Sequence, residues 1–190
     1  MGSHRAIITL DQMEPVVHVE GADRMTILGV ADGDAAARAA LSLVADGVRS
    51  IELCGAFGPL AGAPVLEAID GEVPVGLVLF GMESLTSVAA YKARAEAGEP
   101  MTAAFLFITA GADPAIGHTV REHEGGRALF VAVPDESAAP KAVADLLAQE
   151  DVQLIELYGG FTPAGAARVV EAVDARIPVG LATYALTPDG

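Results

Sequence analysis

The chain carries the stretch IELCGAFGPLAGAPVLEAIDGEVPVGLVLF at residues 51–80 and repeats it at residues 155–184 as IELYGGFTPAGAARVVEAVDARIPVGLATY. The two stretches align without a gap, and 15 of the 30 aligned positions are identical. The two stretches start far apart, at residues 51 and 155, so the repeated module has roughly 90 residues and is a whole α/β unit, because solenoid repeats have periods of only about 20–50 residues. The sequence therefore predicts a fused tandem pair of one module.

Each module is predicted to have the element order β–β–α–β–α–β. Helices of about a dozen residues between strands imply right-handed crossovers and parallel pairing. We expect two α/β modules with mainly parallel sheets, packed about a pseudo-twofold axis as two identical subunits would be. The alternative is a single eight-stranded α/β barrel made of two half-barrels, which ranks second because too few helices are available for eight strands. The predicted strands are 6–10, 25–30, 48–54 and 75–80 in the first copy and 103–110, 128–133, 154–158 and 178–184 in the second.

The predicted boundaries are 5–82 for the first module, 83–100 for a connecting helix and 101–186 for the second module. The connection is rich in alanine and is therefore predicted as a helix and not as a flexible linker. In the second module, Thr162 is predicted to cap a helix whose first residue is Pro163.

Composition excludes several classes of protein. Of the 190 residues, 52% are hydrophobic and 19% are charged, which predicts a packed globular protein. The net charge of −15 argues against binding to nucleic acid or to an anionic membrane surface. The longest apolar runs are too short to cross a bilayer, which takes about 20 residues. We expect a cytoplasmic protein that is either a monomer resembling a dimer or a homo-oligomer.

The phrase IELCGAFGP, followed some twenty residues later by VPVGLVLF, resembles domain-of-unknown-function family 6506. Single-copy members of that family look like one module of this chain, with an opening strand followed by GADP and a histidine. The second copy has this opening as FLFITAGADPAIGH, which ends at His118, whereas the first copy lacks GADP. The resemblance implies a duplicated fold unit and carries no activity or cofactor with it.

Two glycine segments, 55–58 and 159–162, follow the third predicted strand of each module and lead into a helix. Ligands of open parallel sheets bind at the carboxyl ends of strands, and free amides at a helix start can hold a phosphate or carboxylate. The other interpretation, which we favour, is that the glycines only permit a tight turn. The ligand-binding candidates at these turns are Gly55, Phe57 and Gly58 in the first copy and Gly159, Gly160, Phe161 and Thr162 in the second.

Glu52 and Glu156 each lie inside an apolar strand. Alternation along a strand places Glu52 on the same face as Cys54, and Glu156 on the same face as Tyr158. An unpaired buried carboxylate would cost several kcal/mol, so each glutamate needs a partner, a proton or access to solvent. A structural pairing and a role as general base are equally compatible with the sequence.

Cys54, Tyr158 and His118 are three further candidates for a site. Cys54 precedes a helix start, where a thiolate would be stabilised, but its counterpart is Tyr158 and a buried cysteine is the commoner case. As the only cysteine, it excludes an intrachain disulfide and any multi-cysteine metal site. His118 belongs to the segment HTVREHE, whose two histidines lack the spacing of a helical metal pair, so no metal site is predicted.

Two functions therefore stay open. In the first, a small and perhaps anionic metabolite binds at the carboxyl end of the third strand of each module, where Glu156, Glu52 or His118 could also act in catalysis. In the second, the protein is a non-catalytic assembly or regulatory module without a ligand site. Neither the substrate, the cofactor nor the existence of an enzymatic activity can be deduced from these residues.

Overall fold

A computed structural model describes residues 2–116 and 118–184, apart from the side chain of Ile116. The described chain divides into two compact units. The first unit contains residues 2–79 and 182–184, and the second contains Phe80–Leu181. The predicted module boundaries 5–82, 83–100 and 101–186 stay a prediction, and residues 185 and 186 lie outside the described part.

The first unit contains five strands and two helices. Asp32 caps α1 by accepting a hydrogen bond from the backbone N–H of Ala35, and Gly58 with Pro59 starts α2. In chain order the elements are β1 (His4–Thr9), β2 (Val16–Glu20), β3 (Asp23–Gly29), α1 (Gly33–Ala45), β4 (Ser50–Leu53), α2 (Gly58–Ile69) and β5 (Val75–Phe80).

The second unit begins with the predicted connecting helix, α3, which buries none of its residues. The hydroxyl of Ser84, just before α3, accepts a hydrogen bond from the N–H of Val179 at 3.2 Å. The last three residues of β10 belong to the first unit. In chain order the elements are α3 (Leu85–Glu96), β6 (Met101–Ile108), β7 (Thr119–His123), β8 (Gly126–Val133), α4 (Ala139–Leu147), β9 (Leu154–Tyr158), α5 (Pro163–Ala172) and β10 (Val179–Tyr184), with short 3-10 turns at Met82–Ser84 and Pro114–Ile116.

The two units share one strand pattern. The order is β2-β3-β1-β4-β5 in the first and β7-β8-β6-β9-β10 in the second. Within these runs all neighbours are parallel except the edge strands β2 and β7, which pair antiparallel with β3 and β8. The fold is therefore mixed α/β with mainly parallel pairing, as the sequence predicts.

The sequence-based element order is wrong at one place in each module. Each unit has the order β–β–β–α–β–α–β, because a short hairpin precedes the first helix. β2 and β7 were missed because they are five-residue edge strands, and because β7 (TVREH) has only one apolar residue while β2 (VVHVE) mixes polar with apolar ones. Since the described residues form ten strands, the eight-strand count behind the barrel alternative is wrong.

The helices of a unit cover one face of its sheet. Gly62 of α2 lies so close to the sheet that a Cβ there would be 2.9 Å from Cδ2 of Leu77 and 3.4 Å from Cδ1 of Leu53. In the second unit, Leu157 of β9 belongs to a core shared with Val143 of α4 and Val169 of α5. Successive side chains of a strand point to opposite faces of the sheet. Glu52 and Glu156, which directly precede Leu53 and Leu157, therefore face the side without helices.

Candidate functional site

Glu52 lies on β4 of the first unit, between strands β1 and β5. Its neighbours in register are Ile7 on β1 and Gly76 on β5, and the side chain is only 1% exposed. A buried carboxylate needs hydrogen-bond donors, because burial in an apolar sheet costs several kcal/mol per unpaired charge. The position of Glu52 on the helix-free face decides which side chains can supply them.

Tyr184, the last residue of β10, supplies one such donor. Its ring lies over Gly76, where a Cβ would be 3.1 Å from Cε1 of the ring. Its hydroxyl is hydrogen-bonded to Glu52 and also interacts with Ser50. Burial, and then the negative charge of Glu52, raise the pKa of the Tyr184 phenol above its usual range. Tyr184 is nevertheless 37% exposed, so one side chain joins the buried carboxylate to the surface.

Glycine is present beside the glutamate in both copies, and at Gly76 the reason is steric. Gly76 is in register with Glu52, and Gly180 is in register with Glu156. At Gly76 the missing side chain leaves the space that the tyrosine ring occupies. A glycine next to a buried glutamate leaves space for a large side chain. This was the feature of the sequence that could have indicated the tyrosine partner, Tyr184.

Glu156 is held differently in the second unit. The Tyr158 hydroxyl, two residues along the same strand, donates a hydrogen bond to Oε2 of Glu156. Glu156 is 3% exposed and Tyr158 is fully buried. The Tyr158 ring stacks on Phe105 with the ring centroids 6.0 Å apart, and Phe105 in turn contacts Phe130 at 5.1 Å. The carboxylate of the second copy is therefore closed in by aromatic rings.

The glycine turn of the second copy already holds a carboxylate from the chain itself. Oε2 of Glu136 accepts hydrogen bonds from the backbone N–H of Thr162 at 3.0 Å and from its hydroxyl at 2.8 Å. Oε1 of Glu136 accepts one from Arg168 at 2.8 Å. Gly165 leaves room for this carboxylate, since a Cβ there would be 2.3 Å from Oε2. The two Thr162 hydrogen bonds, followed by Arg168, lower the pKa of Glu136.

The residues predicted at the two glycine turns cap a helix, adopt positive φ angles or are buried. Thr162 caps α5 by accepting from the N–H of Gly165, as the sequence predicts. Gly159 and Gly160 have φ angles of 81° and 92°, which glycine adopts without strain. In the first copy Gly58 has a φ of 53°, and α2 has no side-chain cap at its start. Gly55 is partly buried in the turn before α2, and the remaining candidates Phe57, Phe161 and Cys54 are buried.

His118 is not brought together with Glu156. It lines a cleft with Val131 and Leu146, which belong to the helix-covered side of the sheet, whereas Glu156 faces the other side. Strands β8 and β6 also lie between β7 and β9, which adds three interstrand spacings, or roughly 14 Å. A catalytic pair of His118 and Glu156 is therefore not formed.

A cleft of about 570 Å³ lies at the amino ends of β4 and β5 in the first unit. Most of its lining is apolar, and Tyr184 and Ser50 provide hydroxyl groups. Sequence reasoning, which considered only the carboxyl ends of the strands, missed it. The lining residues are Ser50, Leu66, Ile69, Gly71, Val73, Pro74, Val75 and Tyr184.

The described residues offer neither a grouped set of metal ligands nor a membrane-spanning helix. Over residues 2–116 and 118–184, no three or more His, Cys, Asp or Glu side chains are grouped so that they could hold a metal ion. Within the same residues, none of the helices has the length and apolar character needed to cross a bilayer.

The fold and the repeated glutamate define a duplicated α/β protein, and the family comparison agrees with this. A family model described as a family of unknown function, DUF6506, matches residues 5–93 and again residues 101–189. The chain belongs to this family and carries it twice. The comparison with curated proteins found no match.

Solved structures show only a distant likeness. A solute-binding protein of an ABC transporter from Clostridium phytofermentans, with bound L-rhamnose, has 12% identity over 94% of this chain and 68% of its own, with a TM-score of 0.31. A solute-binding protein from Burkholderia graminis, in complex with D-arabinose, has 12% identity, coverages of 93% and 74%, and a TM-score of 0.30. Likeness at this level supports no conclusion about the ligand of this chain.

Replacement of Tyr158 by Phe should destabilise the protein by about 1–3 kcal/mol, because the buried Glu156 carboxylate loses a donor. In a double-mutant cycle with Glu156→Gln, measured by urea unfolding, we expect a coupling energy of about 0.5 kcal/mol or more. Thr86→Val, which removes a hydroxyl from an exposed position of α3, is the control and should change stability by less than about 0.5 kcal/mol. Additive effects of the two substitutions would show that the Tyr158–Glu156 hydrogen bond contributes nothing to stability.

Glu136→Gln should reduce stability at pH 7, with Glu67→Gln on the exposed face of α2 as the control. Because the folded-state pKa of Glu136 is lowered, its contribution is complete above the ordinary glutamate pKa and is lost as the pH falls through the folded value. The stability difference between wild type and Glu136→Gln should therefore shrink below about pH 4.3. A difference that is unchanged between pH 7 and pH 3 in denaturant titrations would contradict this assignment.

Proposed function

We propose that the protein binds a small molecule and that the first unit carries the binding site. The observation behind this proposal is the position of Tyr184, which lines the cleft and is hydrogen-bonded to the buried Glu52. A concave, mainly apolar cleft with a few convergent polar groups is typical of small-molecule sites. Ser50 and Tyr184 are the polar groups at this cleft, and Glu52 lies behind the tyrosine.

The chemistry of the cleft favours an uncharged ligand. Leu66, Ile69 and Val73 offer apolar surface, and the carboxylate of Glu52 would repel an anion that reached Tyr184. A hydroxyl or carbonyl group on the ligand could exchange hydrogen bonds with the Tyr184 and Ser50 hydroxyls. We therefore infer a mainly apolar molecule with one such group, and no longer the anionic metabolite that the glycine turns suggested.

The two copies give unequal support to a site beside the glutamate. Tyr184 is partly exposed and can contact a ligand, whereas Tyr158 is fully buried and binds Glu156 within the protein. The carboxyl end of β9 is further occupied by Glu136 at the start of α5. A site at the carboxyl end of β4 stays a prediction from the sequence, with less support than the cleft at the amino end. The proposal concerns binding alone and includes no reaction.

The test uses two tryptophan substitutions on α2. Leu66 lines the cleft, whereas Leu60 is 94% exposed on the same helix and is not among the lining residues. Neutral alcohols, phenols and ketones are screened by protein-observed NMR against wild type, Leu66→Trp and Leu60→Trp. We expect compounds that bind wild type and Leu60→Trp equally and bind Leu66→Trp about tenfold more weakly, because the indole fills the cleft.

Tyr184→Phe adds a second requirement. For a hydroxyl-bearing compound, loss of the phenol hydroxyl should weaken binding by about threefold to tenfold, which corresponds to one hydrogen bond. If no neutral compound binds, or if binding is insensitive to Leu66→Trp, the cleft is not a ligand site. The buried glutamates would then support packing alone, as expected of an assembly module.

A further inference from the structure

We propose that the second unit carries a separate site, around His118, for a small molecule with an ammonium or amidinium group. This site lies on the helix-covered side of its own sheet and involves neither Glu52 nor Glu156. A cleft of about 340 Å³ separates the loop before β7 from α4. Its polar lining comes from His118, Asp145 and Gln149, and its apolar floor includes Val131, Ala142 and Leu146.

The imidazole of His118 is oriented by a carboxylate. Nε2 of His118 is 3.4 Å from Oε1 of Glu150, and both side chains are largely buried, with exposures of 17% and 19%. Arg127 holds the same carboxylate with two hydrogen bonds, at 2.7 and 3.3 Å, and thereby lowers the pKa of Glu150. Because an ionised carboxylate can only accept hydrogen bonds, the hydrogen on Nε2 is directed at Glu150, and this contact fixes the position of His118 at the cleft.

Two polar side chains of the cleft, Gln149 and Asp145, offer acceptors. Gln149 donates its Nε2 hydrogen to the carbonyl oxygen of Asp145, so the acceptor of its amide is left for a ligand. Asp145 contributes a carboxylate, and a carboxylate has about four lone-pair positions. A ligand that meets this amide oxygen and this carboxylate must itself donate hydrogen bonds.

Charge favours a cationic donor over a neutral one. The charged groups around the cleft are Asp145 and Lys141 on α4, Glu150 after α4, Arg127 on β8 and Glu122 on β7. Arg127 is paired with Glu150 and Glu122. Lys141 contacts Asp145, but this pair is 80% and 58% exposed, and exposed pairs of this kind are weak and readily exchanged. The net charge of −15 also raises the local concentration of cations.

The histidine on the edge strand of the first unit is not the counterpart of His118. His18 of β2 is in register with Met25, and the same position of β7 is occupied by Arg121, which is in register with Ala128. His18 is therefore the counterpart of Arg121 and not of His118. We infer one cationic site per chain, present in the second copy alone.

The test is an NMR titration with phenethylamine and with its neutral analogue 2-phenylethanol. Phenethylamine should shift the resonances of His118, Val131, Ala142 and Leu146 with saturation at millimolar concentration, and the alcohol should bind about tenfold more weakly. Asp145→Asn should weaken amine binding about threefold to tenfold, whereas Asp151→Asn, the same charge change outside the cleft, should leave it unchanged. His118→Gln should weaken it similarly, and because Asp145 is exposed, Asp145→Asn tests the site even if His118→Gln fails to fold.

Three outcomes would overturn the proposal. The first is the absence of saturable shifts up to about 10 mM amine, which is a weak-binding limit. The second is equal affinity for the amine and the alcohol, which would leave only an apolar contact. The third is an amine affinity that Asp145→Asn and Asp151→Asn reduce equally, which would indicate diffuse attraction of cations to an acidic surface.

Discussion

A buried carboxylate in the central part of a parallel sheet is the constraint on which the rest of the structure depends. Such a group is tolerated only if donors reach it, and in both units a tyrosine hydroxyl does so. The neighbouring glycine on the next strand, Gly76, provides the space for one of these rings. Because both crossover helices of a unit pack on the other face, the glutamates occupy the face that the helices leave free. In the first unit, the need for a donor at Glu52 therefore also explains Gly76.

The two copies satisfy the same requirement in ways that have different consequences. Tyr158 lies two residues from Glu156 on the same strand, is fully buried and stacks on Phe105. Tyr184 reaches Glu52 from β10 and keeps part of its ring exposed beside a cleft. The Glu156 carboxylate is therefore bound to a fully buried tyrosine, whereas the Glu52 carboxylate is bound to a tyrosine that is partly exposed to solvent. In the second copy Glu136 binds the start of α5 and is itself held by Arg168, and a further cleft is lined by His118.

Much of the fold could be predicted because it depends on local patterns. Apolar strands, helical spacing and the cap at Thr162 with Pro163 gave eight strands and the helices close to their observed places. The hairpin strands β2 and β7 were missed because short edge strands with mixed polar and apolar residues lack a distinctive pattern. The burial of Glu52 and Glu156 was predictable from alternation. Their tyrosine partners were predictable only for Tyr158, which shares a strand with Glu156. Tyr184 and Glu136 bind residues that are far from them in the sequence, and such contacts can be identified only from the three-dimensional structure.

The hydrogen bond between Tyr184 and Glu52 can be measured directly, because the chain has only three tyrosines. In protein labelled with ¹³C at tyrosine Cζ, the Tyr184 resonance should stay at its phenol position up to about pH 11, above the ordinary tyrosine pKa of about 10. Glu52→Gln should move its titration midpoint toward the ordinary value, because the negative charge that opposes ionisation is gone. A Tyr184 resonance that titrates near pH 10 in the wild type, with no change in Glu52→Gln, would contradict this account.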